Sequence, residues 1–520
     1  MRLYQRVFFL LCPFILLVIS AGCAPSTASQ QIPVILSVDG ESSQLVLPPG
    51  SNVRQALEAA GVEVGPLDRS EPTLFAELVG GEQIRVIRVV EEFEVEQNPL
   101  SFVSRTLQNE SLAAGEQRLI QNGVNGLQES TYRLLYEDGA LVSRTLIRET
   151  VITAPVEEII MVGAQSPYSS IPISGRLAFL SAGNAWLLES ETGSRRAVVT
   201  TGDLDGRVFE ISPDRAWLLF TRQSRLGGEI NTLWVASLNE DPQQIIDLGV
   251  GNIVHYAGWV PGASPARIAF SAVEPSLNPP GWQAKNDLQF ITFNDGEVSL
   301  PSVALAANQE GFYSWWGSTY AWSPDGEKLA FARPDAVGLV NVNSAELDVQ
   351  LPLPTFQTGS DWAWMPSLSW SPDGNVLYTV EHAEQQGLEV QEQSPIFNLV
   401  AIDVGSGDVS TIAENIGMFA GPVPDPDGGQ VAFLRAFTPS QSDISAYELM
   451  VVAPSGNMLS LFPPQGAAGL HPQRVAWSPS AENGPMIAFV YQGNLWIANV
   501  LSGEAHQVTG DGLVAALSWR

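Results

Sequence analysis

The stretch Tyr320-Ala-Trp-Ser-Pro-Asp-Gly-Glu-Lys-Leu-Ala-Phe331 decides the fold. It reads as a short aromatic strand, a tight turn and a second apolar strand. Pro324 suits the first central position of a turn, and Asp325-Gly326 supplies a polar bend and a residue tolerant of positive φ. One such hairpin cannot bury its own apolar face. This one recurs, which is the mark of a stacked or radial architecture.

Clear copies stand at Leu368-Ser-Trp-Ser-Pro-Asp-Gly-Asn-Val-Leu377 and Val475-Ala-Trp-Ser-Pro479. Weaker copies are Phe209-Glu-Ile-Ser-Pro-Asp214, Tyr256-Ala-Gly-Trp-Val-Pro-Gly262 and Pro422-Val-Pro-Asp-Pro-Asp-Gly428. An apolar strand follows each, and two more strands complete a unit, as in Leu399-Val-Ala-Ile-Asp-Val-Gly-Ser-Gly-Asp-Val409. The spacing is about 50 residues, which fits four-stranded propeller blades with some long loops.

The two ends of this region complete the ring. Arg176-Leu-Ala-Phe-Leu180 reads as a second strand lacking its first, and Val514-Ala-Ala-Leu-Ser-Trp519 as a first strand lacking the rest. Joined, they make one composite blade that removes two exposed edges. Six complete units and one composite give seven blades, or six if a weak copy is spurious. The repeat resembles the TolB-type propeller over about residues 175–520, and such propellers serve binding proteins and the non-catalytic parts of peptidases.

A chain of 520 residues is too long for one ordinary core. Its frequent Gly and Pro suit an all-β protein with many turns. The net charge of −31 speaks against nucleic-acid binding, which needs a basic surface to release counterions. An acidic, solvated surface that keeps an exported protein soluble is the expected use.

Met1-Arg-Leu-Tyr-Gln-Arg6, an apolar run from Val7 to Ile19, and Ser20-Ala-Gly-Cys23 read as a secretory signal, residues 1–22. The ending resembles the bacterial lipobox, with Ser20 where that family usually has Leu. The resemblance implies that Cys23 is the lipidated first residue of the mature chain. Cys12 would be removed with the signal, leaving no thiol for a disulfide or a cysteine-based metal site. Residues 23–32 are then a tether, and the protein is exported and lipid-anchored on the outer side of the cytoplasmic membrane or in the cell envelope.

Between tether and propeller stand two small modules. Val34-Ile-Leu-Ser-Val38, a turn at Asp39-Gly40, Leu45-Val-Leu47, a helix over Val53–Ala60 capped by Ser51 or Asn52 and stopped at Gly61, and a closing strand Gln83–Val89 give a β-β-α-β order. Over residues 33–90 this resembles the ubiquitin-like domain that precedes G5 domains. Residues 91–165 resemble the G5 domain itself, through Gly115, Gly123, Gly126, Gly139 and Gly163. Asp138-Gly139 reads as a hairpin turn between Tyr132–Tyr136 and Leu141–Thr145. The resemblance implies an extended β spacer or adhesive unit, with N-acetylglucosamine-type sugars proposed as ligands of the family. Some members self-associate through zinc, but this copy has no histidine. Residues 166–174 are a Pro/Ser linker.

Trp322, Trp370, Trp477 and Trp519 lie on inner strands and read as packing between blades. Asp325 and Asp373 read as turn residues. In a propeller the second-to-third and blade-to-blade loops share one face, and here they are long, whereas the opposite face carries short turns. Loops of the long face hold Phe312, Trp315, Trp316, Trp362, Trp364 and Trp282, which are candidates for a platform stacking on sugar or peptide. The alternative is that they plug the channel or pack under the loops. His255, His382 and His471 fall in the same loops, a weak candidate metal set without ligand spacing. No cofactor is implied. No Gly-x-Ser-x-Gly nucleophile turn or His-Glu-x-x-His motif occurs.

The expected protein is thus mainly all-β: a C-terminal propeller preceded by a ubiquitin-like α+β domain and an extended G5 domain. Its expected function is non-catalytic binding or adhesion to a cell-wall glycan or a surface protein. The alternatives are an exported glycan lyase or hydrolase without a recognisable motif, and a protein-docking scaffold of the envelope.

Overall fold

The computed structural model describes residues 31–520, apart from residues 110, 111, 113, 165–167, 240–243, 295, 480, 481 and 483. The expected signal peptide, Cys23 and most of the expected tether lie outside the described residues. The chain divides into two compact units, one up to Thr106 with Leu119–Ile160, the other Leu107–Arg118 with Met161–Arg520.

The first unit begins with a four-stranded sheet. Strands Ile32–Val38 and Glu41–Leu47 form a hairpin, Gln83–Ile87 pairs in parallel with the first of them, and Arg69–Glu71 pairs on the far side of Gln83–Ile87. The helix Val53–Ala59 packs on the sheet because Val53, Ala56 and Leu57 fall on one face, meeting Val34, Leu36, Ile84 and Val86. Asn52 is the cap: its side chain accepts the Gln55 N–H at 3.0 Å and the Gln55 side chain returns the bond. Ser51 turns away to Pro48 O.

A long three-stranded sheet follows: Val89–Leu100, Gly126–Glu137 at its centre, and Ala140–Thr153. Asp138 and Gly139 both take positive φ, 48° and 79°, which a two-residue hairpin turn of this twist requires. Val90, Phe93, Val95, Leu146 and Ile147 remain exposed on this sheet. Asp138 also ties the two sheets together, accepting from Arg88 N–H and Arg85. Arg88 in turn holds Asp39 and Asp68.

The second unit is a ring of seven sheets. Blade 1 joins Val514–Trp519, Pro172–Ser181 and Asn184–Val199, with Leu177 opposite Trp519 and Leu180 opposite Ala516. The expected closure is therefore present, and Arg176 and Arg520 exchange backbone hydrogen bonds beyond the ladder. Blades 2 to 7 begin with the inner strands Leu204–Ile211, Ala257–Val260, Thr319–Trp322, Leu368–Trp370, Val423–Pro424 and Ala476–Trp477. Each runs outward through three more strand positions. In blade 3 the outermost is split, Glu297–Val298 and Ser302–Leu305 both pairing with Leu288–Asn294.

Apolar residues of facing blades merge into cores around the whole ring. Blades 1 and 2 share Leu180, Leu187, Ile211 and Phe220, blades 6 and 7 share Tyr447, Trp477 and Phe489, and blades 7 and 1 share Phe179, Ile497 and Trp519. The inner-strand tryptophans carry this packing. The indole N–H of Trp370 donates to Ala321 O at 2.9 Å and that of Trp477 to Val423 O at 2.8 Å, each reaching the preceding blade's inner strand.

The Ser-Pro-Asp-Gly turn is a polar knot. Ser323 Oγ donates to Asp325 at 2.5 Å and accepts the Lys328 N–H, while Asp325 accepts the Glu327 N–H. Ser371 and Asp373 repeat it, as do Ser212 and Asp214. The serine hydroxyl and then the backbone N–H hold the Asp325 and Asp373 carboxyls below the usual range. Gly326 has φ +74°, and a Cβ there would come 2.1 Å from Pro261 O, so the turn also seats against the blade before it.

Candidate functional site

The long blade-to-blade segment from blade 3 to blade 4, residues 306–318, bends over a cleft of about 360 Å³. Leu305, Tyr320 and Phe331 line its apolar part; Asn286, Asn308, Arg333 and Asp335 line its polar part. Asn286 shapes the segment. Its amide donates to Asn308 O and Ser314 O and accepts from Ser318 Oγ. Tyr313 bends with φ +56°. Phe312 is left 60% exposed at the rim.

Arg333 and Asp335 lie at the tight turn between the second and third strands of blade 4, 3.2 Å apart and partly open to solvent. Tyr320 is buried, and burial and then Asp287 push its phenol above the usual range, so it stays a hydrogen-bond donor. An exposed aromatic face, a guanidinium, a carboxylate and amide groups around one opening can recognise a polar ligand with an apolar face. Nothing in this set resembles an activated nucleophile.

The predicted platform separates into two groups. Phe312, Tyr313, Trp315 and Trp316 form a run of edge-to-face contacts, which continues through Trp282 to His255. Trp282 is only 7% exposed. It sits on a small hairpin, Val273–Pro275 with Trp282–Ala284, built from the long second-to-third loop of blade 3. It props up the segment rather than offering a face. Trp362 and Trp364 belong elsewhere, packing with blades 5 and 6. Trp362 lies against Phe419; Trp364 is 1% exposed and donates its N–H to Met418 O. Trp364 therefore packs under the loops.

The histidines do not converge either. His255 is wedged against Trp282, Trp316 and Gly317, and burial pulls its pKa down to about 4. His382 is fully buried, stacked on Phe397, its ring nitrogens at the carbonyls of Pro354 and Ser394. His471 is exposed. Among the described residues no group of three His, Cys, Asp or Glu side chains has metal-holding geometry; His255 and His382 pack in the interior and His471 lies on the surface.

The G5 domain family matches residues 91–165, and the G5-linked ubiquitin-like domain family matches residues 34–74. The chain carries a G5 domain. Resuscitation-promoting factor RpfB of Mycolicibacterium smegmatis is 27% identical over 184 residues, 34% of this chain and 51% of that one. Rpf2 of Corynebacterium glutamicum is 26% identical over 162 residues, 31% and 43% of the two chains. This chain thus spans about half the length of the curated relatives it matches. Among solved structures, HP0197-G5 aligns at 24% identity over 15% of this chain and 99% of its own, with a TM-score of 0.14. TolB from Acinetobacter baumannii aligns at 10% identity over 83% and 99%, with a TM-score of 0.36. A G5 domain with its ubiquitin-like neighbour, joined to a propeller, has the make-up of an extracytoplasmic binding scaffold. No described helix is long and apolar enough to cross a membrane.

Proposed function

We propose that this chain is a lipid-tethered envelope protein that binds a glycan or peptide in the cleft between blades 3 and 4. Cys23 would hold it to the membrane, the ubiquitin-like and G5 domains would act as a wall-proximal spacer, and the propeller would present the cleft. The observation that carries the reading is the cleft itself, with the Phe312 ring exposed at its rim and the Arg333–Asp335 pair beside it. The G5 domain and the partial likeness to resuscitation-promoting factors support the envelope setting.

A glycan and peptide array probed with the full chain tests this. Phe312→Ala, at an exposed ring, should weaken the strongest binder about tenfold and leave the fold intact. Trp364→Ala should instead cost roughly 3–5 kcal/mol of stability, as removal of a buried tryptophan does. Binding that survives Phe312→Ala and Arg333→Gln unchanged would move the ligand site elsewhere.

A further inference from the structure

Arg333 is an arginine left half used. Its guanidinium lines the cleft between blades 3 and 4, and the one carboxylate within 4.0 Å of it among the described residues is Asp335. That contact, Asp335 Oδ1 at 3.2 Å from Nε, lacks hydrogen-bond geometry, so the Nε N–H is buried without an acceptor. The terminal nitrogens donate to no group among the described residues. Other arginines of the ring show a completed pair. Arg222 gives Asp203 two hydrogen bonds, at 3.0 and 2.9 Å, and Arg435 gives Glu448 two, at 2.9 and 2.6 Å. A guanidinium carries five N–H donors, and a carboxylate held loosely at Nε leaves the two terminal nitrogens as an open fork.

The rest of the lining is of another character. Leu305, Tyr320 and Phe331 are each less than a tenth exposed and form an apolar recess, while the Phe312 ring stands 60% open at the rim. A sugar ring, polar around its whole edge, would set hydroxyls against Leu305 and Phe331 with nothing there to bond them. An aliphatic or aromatic side chain would not. Asn308, whose Oδ1 accepts the Glu310 N–H at 2.7 Å, keeps its amide donors for a ligand carbonyl. The volume of about 360 Å³ falls within the roughly 300–1,000 Å³ of small-ligand clefts. An open fork beside an apolar recess suits a carboxylate attached to an apolar group.

We propose that this cleft takes the free C-terminus of a peptide whose last residue is apolar, the carboxylate on the Arg333 fork and the side chain in the recess of Leu305 and Phe331. This holds only if the cleft is the ligand site, and it narrows the ligand to one chemical class. Asp335 is a positioning residue, holding Arg333 by charge at Nε. Glu310, exposed on the same lining, opposes an anionic ligand.

Isothermal titration of the full chain with acetyl-Gly-Gly-Leu, as the free acid and as the C-terminal amide, tests it. The acid should bind saturably, and the amide about tenfold or more weaker. Acetyl-Gly-Gly-Ser, a free acid with a polar end, should also bind about tenfold weaker. Arg333→Gln should abolish the difference between acid and amide. Arg333→Lys, which keeps the charge but loses the fork, should retain part of it, and Glu310→Gln should tighten the acid alone. Equal affinities of acid and amide, or a difference untouched by Arg333→Gln, overturn the proposal. Absence of saturable binding of the acid below roughly 10 mM does the same. A glycan whose binding Phe312→Ala abolishes, with both peptides silent, would overturn the peptide assignment and leave the cleft as the ligand site. Loss of every Phe312-dependent binder would remove the cleft as well.

Discussion

Single residues here act through where the ring places them, and His255 is the sharpest case. Its pKa falls to about 4 from the ordinary 6.5, chiefly through burial. Between those values the unfolded chain binds a proton that the folded chain does not, so stability rises with pH across that window. Urea midpoints should therefore drop from pH 7 to pH 5, by roughly 1–3 kcal/mol in stability. His255→Phe should remove that part of the drop. An unchanged pH slope in the variant would mean His255 titrates normally. The neighbouring aromatics show why this residue level was hard to read in sequence. Trp315-Trp316 and Trp362-Ala-Trp364 look alike as aromatic pairs on long loops. Only tertiary contacts reveal that one pair joins the Trp282–His255 cluster and the other packs against Phe397 and Phe419. Arg333 and Asp335 carry no sequence signal because their turn is short, although it lines the cleft together with the segment 306–318.

At the scale of the element, the hairpin turns divide into two kinds. Gly139 needs positive φ but has open space where a Cβ would go, whereas Gly326 needs both positive φ and contact with Pro261. Gly139→Ala should thus cost about 1 kcal/mol, and Gly326→Ala roughly 2–4 kcal/mol. All 14 tryptophans lie in the propeller, so tryptophan fluorescence follows that unit alone. Gly326→Ala should shift the fluorescence-detected urea midpoint, and Gly139→Ala should not; equal effects would refute the distinction. Blade count and closure were legible because the Trp-Ser-Pro-Asp pattern marks the same corner each time. Its physical content is local, a Ser–Asp knot and a Trp reaching one blade back, so it survives in sequence. Blade 6 shows how a copy degrades without loss of the turn: Asp425 stands in the serine position and accepts the Gly429 N–H.

The whole molecule is organised by its charge and its ends. With a net charge of −31, association with anionic surfaces by charge alone is disfavoured, and a covalent lipid would have to supply the hold on a membrane. Cys23→Ser should move the protein from the membrane fraction to the soluble one, and an unchanged distribution would discard the tether. The remaining consequence belongs to time rather than space. Leu177 pairs with Trp519, so the first strand laid down in the ring waits for one made more than three hundred residues later. Until then blade 1 lacks its inner strand, Leu177 to Ser181 present a bare edge, and the Trp519 indole has not reached Ser174 O. A chain threaded through a membrane from its N-terminus would therefore arrive on the far side with its ring still open. The strand Val514–Trp519 acts as a latch that closes only once the chain has been delivered through Trp519.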